Sequence, residues 1–155
     1  MAANIGGVRI ERVSGYHDQR GALLPFLDLE RPFWTEPVAY GYLYTVRPGR
    51  IKGWGMHRRQ VDRYFVLSGH LRVVLFDGRD GSATKGNFCE FFFTPKTPGL
   101  LRIPIGVWHA TQNWGATLGR VANFPTARYD PKDPDKSRID PHSGTIAFDW
   151  NLRDG

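Results

Sequence analysis

Residues 104–113 read Pro104-Ile105-Gly106-Val107-Trp108-His109-Ala110-Thr111-Gln112-Asn113. Proline restricts its own φ, and glycine reaches backbone conformations that other residues avoid. Pro104-Ile105-Gly106 therefore predicts a turn, and Trp108–Asn113 a strand leaving it. Working outward, Arg120–Phe124 predicts the next strand, across Trp114-Gly115. Upstream, Leu100–Ile103 and Phe88–Thr94 are apolar runs separated by a Pro/Gly loop. Leu71–Phe76 and Tyr64–Leu67 flank Ser68-Gly69-His70, which predicts a hairpin with a tight turn. Val38–Val46 alternates, so Val38, Tyr40, Tyr42, Tyr44 and Val46 share one face. Val8–Val13 predicts an edge strand inside a lead-in segment, residues 1–15, and residues 18–37 carry turn chemistry around Arg20-Gly21. Ile146–Trp150 predicts a late strand or short helix. Nothing between 38 and 125 keeps a helical period over about ten residues. Many short antiparallel strands predict an all-β domain, with a jelly-roll barrel as the best single architecture.

Composition agrees. A chain of 155 residues is one domain, 1–155, against a usual size of about 150. Hydrophobic residues at 41% and charged residues at 23% exclude wholesale disorder. Aromatics at 14%, with Gly 18 and Pro 11, favour strands and turns over a helix bundle. The net charge of +6 permits an anionic ligand, but no nucleic-acid motif accompanies it. The single cysteine, Cys89, excludes an intrachain disulfide and reads as a small buried hydrophobe among Phe88, Phe91 and Phe92. No apolar run approaches the ~18 residues of a membrane span, and the N-terminus lacks a secretion pattern, so a cytoplasmic protein is expected. Residues 126–142 mix acids and bases between prolines. They predict a solvated surface loop with a helical turn, Asp140 set apart as a site candidate. His17, His70 and His142 lie in loop-like segments and are given no role.

The Pro104–Asn113 stretch, PxGxxHxxxN, resembles the second motif of the cupin superfamily, whose fold is a small jelly-roll barrel. That resemblance places His109 at the barrel mouth. The first cupin motif carries two His at HxH spacing. Here His57 stands at the first position and Arg59 where the second belongs. A mononuclear cupin site uses about three His and a carboxylate, and a guanidinium is no ligand. The expectation is therefore no metal and no cofactor.

Further motifs narrow the resemblance. Asp18-Gln19-Arg20-Gly21, Trp54-Gly55-Met56-His57 and Ile139-Asp140-Pro141, with an apolar segment ending at Trp150, resemble the dTDP-4-dehydrorhamnose 3,5-epimerase family, of which this chain looks a shortened member. The resemblance implies a metal-independent isomerase acting on a nucleotide-linked 4-keto-6-deoxysugar by proton abstraction next to the ketone. It implies His57 as base, oriented by Asp140. It puts Arg63 where the family has a Lys near the keto oxygen, with His109 bonding the same oxygen. Arg20, Arg58 and Arg59 are expected at the diphosphate, and Trp54 or Tyr129 stacked on base or sugar. Two positions depart. Trp54 replaces a family Arg, and Asn123 stands where the family's acid Tyr belongs, leaving Tyr129 as a substitute. The family is usually a homodimer, with Arg20 reaching the partner's pocket. Pro25 replaces a nearby Glu of the family. Two rival functions stay open: a non-catalytic sugar-nucleotide-binding cupin and a metal-dependent cupin enzyme.

Overall fold

The structure, a computed structural model, describes residues 4–152, so the first three residues of the lead-in segment lie outside it. In chain order the strands are β1 (Arg9–Arg12), β2 (Tyr16–Asp18), β3 (Gly21–Leu23), β4 (Tyr42–Val46), β5 (Ile51–Met56), β6 (Asp62–Ser68), β7 (Leu71–Asp77), β8 (Phe88–Phe93), β9 (Gly99–Ile103), β10 (Val107–Asn113), β11 (Gly119–Asn123) and β12 (Ser137–Arg138). The one helical element among the described residues is a 3-10 turn, Pro32–Trp34. Two antiparallel five-stranded sheets face each other. The first has the order β1-β9-β6-β11-β4 and the second β12-β5-β10-β7-β8. The fold is all-β, a cupin-type jelly roll.

The expected hairpin at Ser68-Gly69-His70 is corrected. β6 pairs with β9 and β11, whereas β7 pairs with β8 and β10, so the turn carries the chain from one sheet to the other. Gly69 sits at φ +92°, and a Cβ there would lie 2.7 Å from the Cα of Gly119. The same turn residues serve a hairpin or a crossover; the distant strands decide which. Ile146–Trp150 is neither strand nor helix, but its apolar side chains still pack. Residues 126–142 contain the short strand β12 and no helical turn.

Period two sorts the side chains. Tyr64, Val66, Leu71, Val73, Leu75, Leu101, Ile103, Val107 and Val121 meet between the sheets as the main core. Both outer faces are also covered. Phe65 and Leu100 pack under Phe33, Trp34 and Phe26, and Trp54, Val74 and Ala110 under Ile146, Phe148 and Trp150. Double coverage explains the nearly continuous buried runs of β6 and β7.

The deciding stretch makes the turn its composition predicts. Gly106 lies at φ +79°, a conformation L side chains rarely adopt, and Val107 N donates to Pro104 O at 3.3 Å. Gly106 N also donates to His57 O at 2.8 Å, tying the turn to the residue that follows β5. At the far end, Asn113 Nδ2 donates to Val46 O and Thr117 O, both at 2.8 Å, which closes the β10–β11 connection.

Candidate active site

One end of the space between the sheets is left open by polar residues. Alternation along β6 turns Asp62 inward with Tyr64 and Val66, and alternation along β10 turns His109 inward with Val107 and Thr111. His57 leaves the end of β5 beside them. All three are buried: His57 is 8%, His109 5% and Asp62 2% exposed. Asp62 Oδ2 lies 3.5 Å from His57 Nε2 and 3.6 Å from His109 Nε2.

The backbone sets the proton positions. A carbonyl can only accept, so His57 Nδ1 donates to Asp135 O, and His109 Nδ1 donates to Val107 O at 3.2 Å. In the neutral rings both Nε2 atoms are then lone-pair acceptors. His57 Nε2, Asp62 Oδ2 and His109 Nε2 have no hydrogen-bond partner among the described residues. Asp62 is held through its other oxygen, which accepts from Gln60 Nε2 at 2.8 Å and Asn123 Nδ2 at 3.0 Å. Burial pushes His109 down to about 4, against the raising charge of Asp62, so its ring is neutral near neutral pH.

The segment 133–139 supplies what the motifs do not. Ser137 and Arg138 pair with Met56 and Gly55, so β12 lies along β5 at the mouth. Lys136, just before it, is an exposed residue whose amine is held below the ordinary lysine value by partial desolvation, with Asp62 opposing the shift. A Cβ placed on Gly55 would lie 3.4 Å from both Lys136 Nζ and His109 Nε2, so the amine and the imidazole approach one point. The Asp135 carboxylate accepts from Arg58 N at 2.9 Å and Arg59 N at 2.8 Å, fixing the bend after His57.

Two adjoining cavities open here. One, of about 570 Å³, is lined by His109, Tyr44, Tyr64, Trp54 and Lys52 among others. The other, of about 610 Å³, is lined by His57, Arg59, Tyr40, Tyr129 and Arg128 among others. Tyr42, Lys136 and Arg138 line both, so the two are lobes of one site. Each volume is in the range of a ligand pocket, about 300–1,000 Å³.

Several expected residues lie elsewhere. Asp140 is exposed and does not meet His57; its Oδ1 accepts from His142 N at 2.8 Å in a local turn, and the Asp135 carbonyl takes the His57 Nδ1 proton instead. Arg63 points out of the barrel, because it lies between inward Asp62 and Tyr64. It is 0% exposed, and its guanidinium donates to Phe124 O at 2.8 Å, Glu36 O at 2.6 Å and Pro37 O at 2.7 Å, so it cannot reach a sugar oxygen. Asn123 is fully buried and lines neither lobe, its amide committed to Asp62, Tyr42 and Arg63 N. Trp54 edges the His109 lobe but is packed against Trp150 and Phe148, which leaves no free ring face for stacking. Arg20 sits on the β2–β3 hairpin, paired with Asp18 and away from both lobes of its own chain. Arg58 borders neither lobe. Arg59 and Tyr129 do border the His57 lobe. Sequence reading missed Asp62, Lys136, Arg138 and Tyr42 as site residues. Alternation was the available signal: it pairs Asp62 with inward Tyr64, and Lys136 with Arg138.

A metal is the other occupant that a cupin barrel implies. The motifs offer two imidazole donors; the structure adds Asp62, and the three donor atoms lie within 4.8 Å of one another. The set does not fit a divalent ion. Two neutral imidazoles and a single carboxylate offer one negative charge, and Lys136 and Arg138 border the same space, so a dication would add to a lining that is already cationic.

Comparison with known proteins places the chain. No family sequence model matches it. It is 35% identical over 149 residues to the spore coat polysaccharide biosynthesis protein SpsL of Bacillus subtilis (strain 168), covering 95% of this chain and 97% of that one. It is 30% identical over 152 residues to the probable low-salt glycan biosynthesis epimerase Agl13 of Haloferax volcanii, covering 96% of each. Among solved structures, a dTDP sugar isomerase from Desulfovibrio desulfuricans G20 superposes at TM-score 0.90 with 27% identity, over 99% of this chain and 97% of that one. The dTDP-4-dehydrorhamnose 3,5-epimerase of Sulfolobus tokodaii shares the fold at TM-score 0.80 and 23% identity, over 96% and 83%. On this likeness in sequence and fold, the chain belongs to the dTDP-4-dehydrorhamnose 3,5-epimerase family of cupins, as a divergent, shortened member.

Proposed function

We propose that this protein is a nucleotide-sugar epimerase or isomerase that enolises a dTDP-linked 4-keto-6-deoxysugar. The observation that carries the reading is that His57 and Lys136 line one cavity, with the unpartnered His57 Nε2 and the Asp62 carboxylate 3.5 Å apart just beneath its wall. Enolisation needs a base for the α-proton and a positive group for the oxygen that gains charge. His57 is the base: its Nδ1–H is engaged by Asp135 O, so Nε2 is free to accept. Asp62, 3.5 Å from that nitrogen, stabilises the imidazolium that results. Lys136 takes the role expected of Arg63 and holds the enolate oxygen, with His109 beside it. The sugar lies at the junction of the lobes. Arg138, Arg59 and Arg128 face the diphosphate, and Tyr40 and Tyr129 flank the base.

The relatives' names support the substrate class. One is a probable epimerase of low-salt glycan biosynthesis, another a dTDP sugar isomerase. Incubation with dTDP-4-keto-6-deoxyglucose in D₂O tests the reading: deuterium enters at a ring carbon next to the ketone, and His57→Ala abolishes it. A wild-type protein that binds the nucleotide sugar but exchanges no ring proton refutes it and leaves the binding-protein alternative.

A homodimer belongs to the same proposal. The β2–β3 hairpin and the loop after it expose Tyr16 (79%), Leu23 (62%) and Leu29 (64%), which a partner would cover while receiving Arg20. Analytical ultracentrifugation decides it, and a monomer at micromolar concentration would exclude it. A cytoplasmic setting suits the one cysteine, Cys89, buried and unpaired. No helix among the described residues is long and apolar enough to cross a membrane.

A further inference from the structure

Changing configuration at carbon requires a proton to leave one face and return to the other, and position 123 carries an amide with no proton to give. We infer that Tyr42 is the general acid opposite His57, held in place by Asn123, an inference that rests on the enolisation reading above. Tyr42 stands on β4 of the first sheet, whereas His57 follows β5 of the second, so the two come from facing walls. Both line the His57 lobe, and Tyr42 also lines the His109 lobe.

Asn123 is the register partner of Tyr42 across β11 and β4. Its Nδ2 donates to the Tyr42 hydroxyl at 2.8 Å and to Asp62 Oδ1 at 3.0 Å, while its Oδ1 accepts from Arg63 N at 3.0 Å. The amide is 0% exposed and bonded on both sides, so it is a fixed mount. Because it donates to the phenol oxygen, the phenol's own hydrogen is left for a ligand. The other candidates are less suited. Tyr44 shares its hydroxyl with Thr111 Oγ1 at 2.9 Å, and Tyr129 is 63% exposed on a loop. Burial, then the charge of Asp62, pushes Tyr42 up to about 12, which keeps its proton in place across the physiological range.

The step balances without redox chemistry. His57 Nε2 takes the proton from the carbon next to the carbonyl. The C–H electron pair becomes a C=C bond, and the carbonyl π pair moves to oxygen, which Lys136 holds. The Tyr42 O–H then protonates that carbon from the opposite face as C=O re-forms. The phenolate, stabilised by the Asn123 N–H, regains a proton from water, and the imidazolium gives one up.

Tyr42→Phe tests this with dTDP-4-keto-6-deoxyglucose in D₂O. Deuterium exchange driven by His57 should stay within about tenfold of wild type, while epimer formation falls roughly 10²–10³-fold. A variant with only a structural fault would lose both together. Epimer formation at the wild-type rate, or equal loss of exchange and epimerisation in a folded variant, overturns the inference. Should that variant not fold, fluorotyrosine at position 42 gives the second readout. The alkaline limb of epimerisation should move to lower pH with the exchange limb unmoved, and a static limb overturns the inference. A wild-type protein that exchanges no ring proton refutes the enolisation reading itself, a result distinct from all of these.

Discussion

Replacing Arg63 separates a catalytic cation from a structural one. Arg63→Met removes a fully buried guanidinium whose three carbonyl partners, Glu36, Pro37 and Phe124, belong to two segments packed outside the first sheet. Hydrogen bonds to a charged group contribute about 1.5–3 kcal/mol each, so three set an upper bound of roughly 5–9 kcal/mol. The guanidinium also lies 5.1 Å from the Trp34 ring centroid, and such a contact adds about 1 kcal/mol. The segment around Glu36 can relax toward water, and the methionine refills apolar volume, which brings the expected loss to about 3–5 kcal/mol. At about 2–4 °C per kcal/mol for a chain of this size, Tm should fall by roughly 6–20 °C. Arg63→Lys keeps the charge but offers one nitrogen to three carbonyls, so it should recover less than half of that loss. Thermal and urea unfolding measure the stability, and turnover per folded molecule, taken well below Tm, should stay within about threefold of wild type for both. An Arg63→Met protein with unchanged Tm and a hundredfold lower turnover, restored by Lys, would refute the structural assignment.

Other predictions concern the mouth of the barrel. Asp62→Asn should reduce turnover by about 10²-fold or more through loss of the charge facing the imidazolium, whereas Asp140→Asn, which can keep the same local turn, should change it less than about threefold; steady-state kinetics on both variants decides. Lys136→Met should slow enolisation by about 10²-fold or more and, by removing the competing cation, turn the His57–Asp62–His109 cluster into a divalent-ion site. Calorimetry with Zn²⁺ should then show one site per chain that is absent from wild type and from Lys136→Met combined with His109→Ala. His109 has its folded value lowered to about 4 from 6.5, so the unfolded chain takes up a proton first as pH falls. Stability should therefore decline from pH ~6.5 to ~4 by about 3 kcal/mol and then level off, and His109→Gln should flatten that slope in urea titrations.

The sequence by itself determined the barrel and the address of its site. Pro104, Gly106 and the alternating strand to Asn113 act through local turn and pleat geometry, which neighbours along the chain supply. Alternation also grouped Tyr40, Tyr42 and Tyr44 on one face, and the PxGxxHxxxN resemblance located His109, but which face turns toward the site depended on the opposing sheet. The tertiary structure decided what depends on partners far along the chain. It showed that Ser68-Gly69-His70 crosses between sheets, since a turn does not encode which distant strand its neighbours will pair with. It moved the site cation from Arg63 to Lys136, because one residue of phase on β6 reverses the direction of a side chain. It also replaced Asp140 with Asp135 and Asp62 around His57, because hydrogen-bond partners 78 residues apart, as His57 and Asp135 are, follow from the closure of the fold and leave no trace in local spacing.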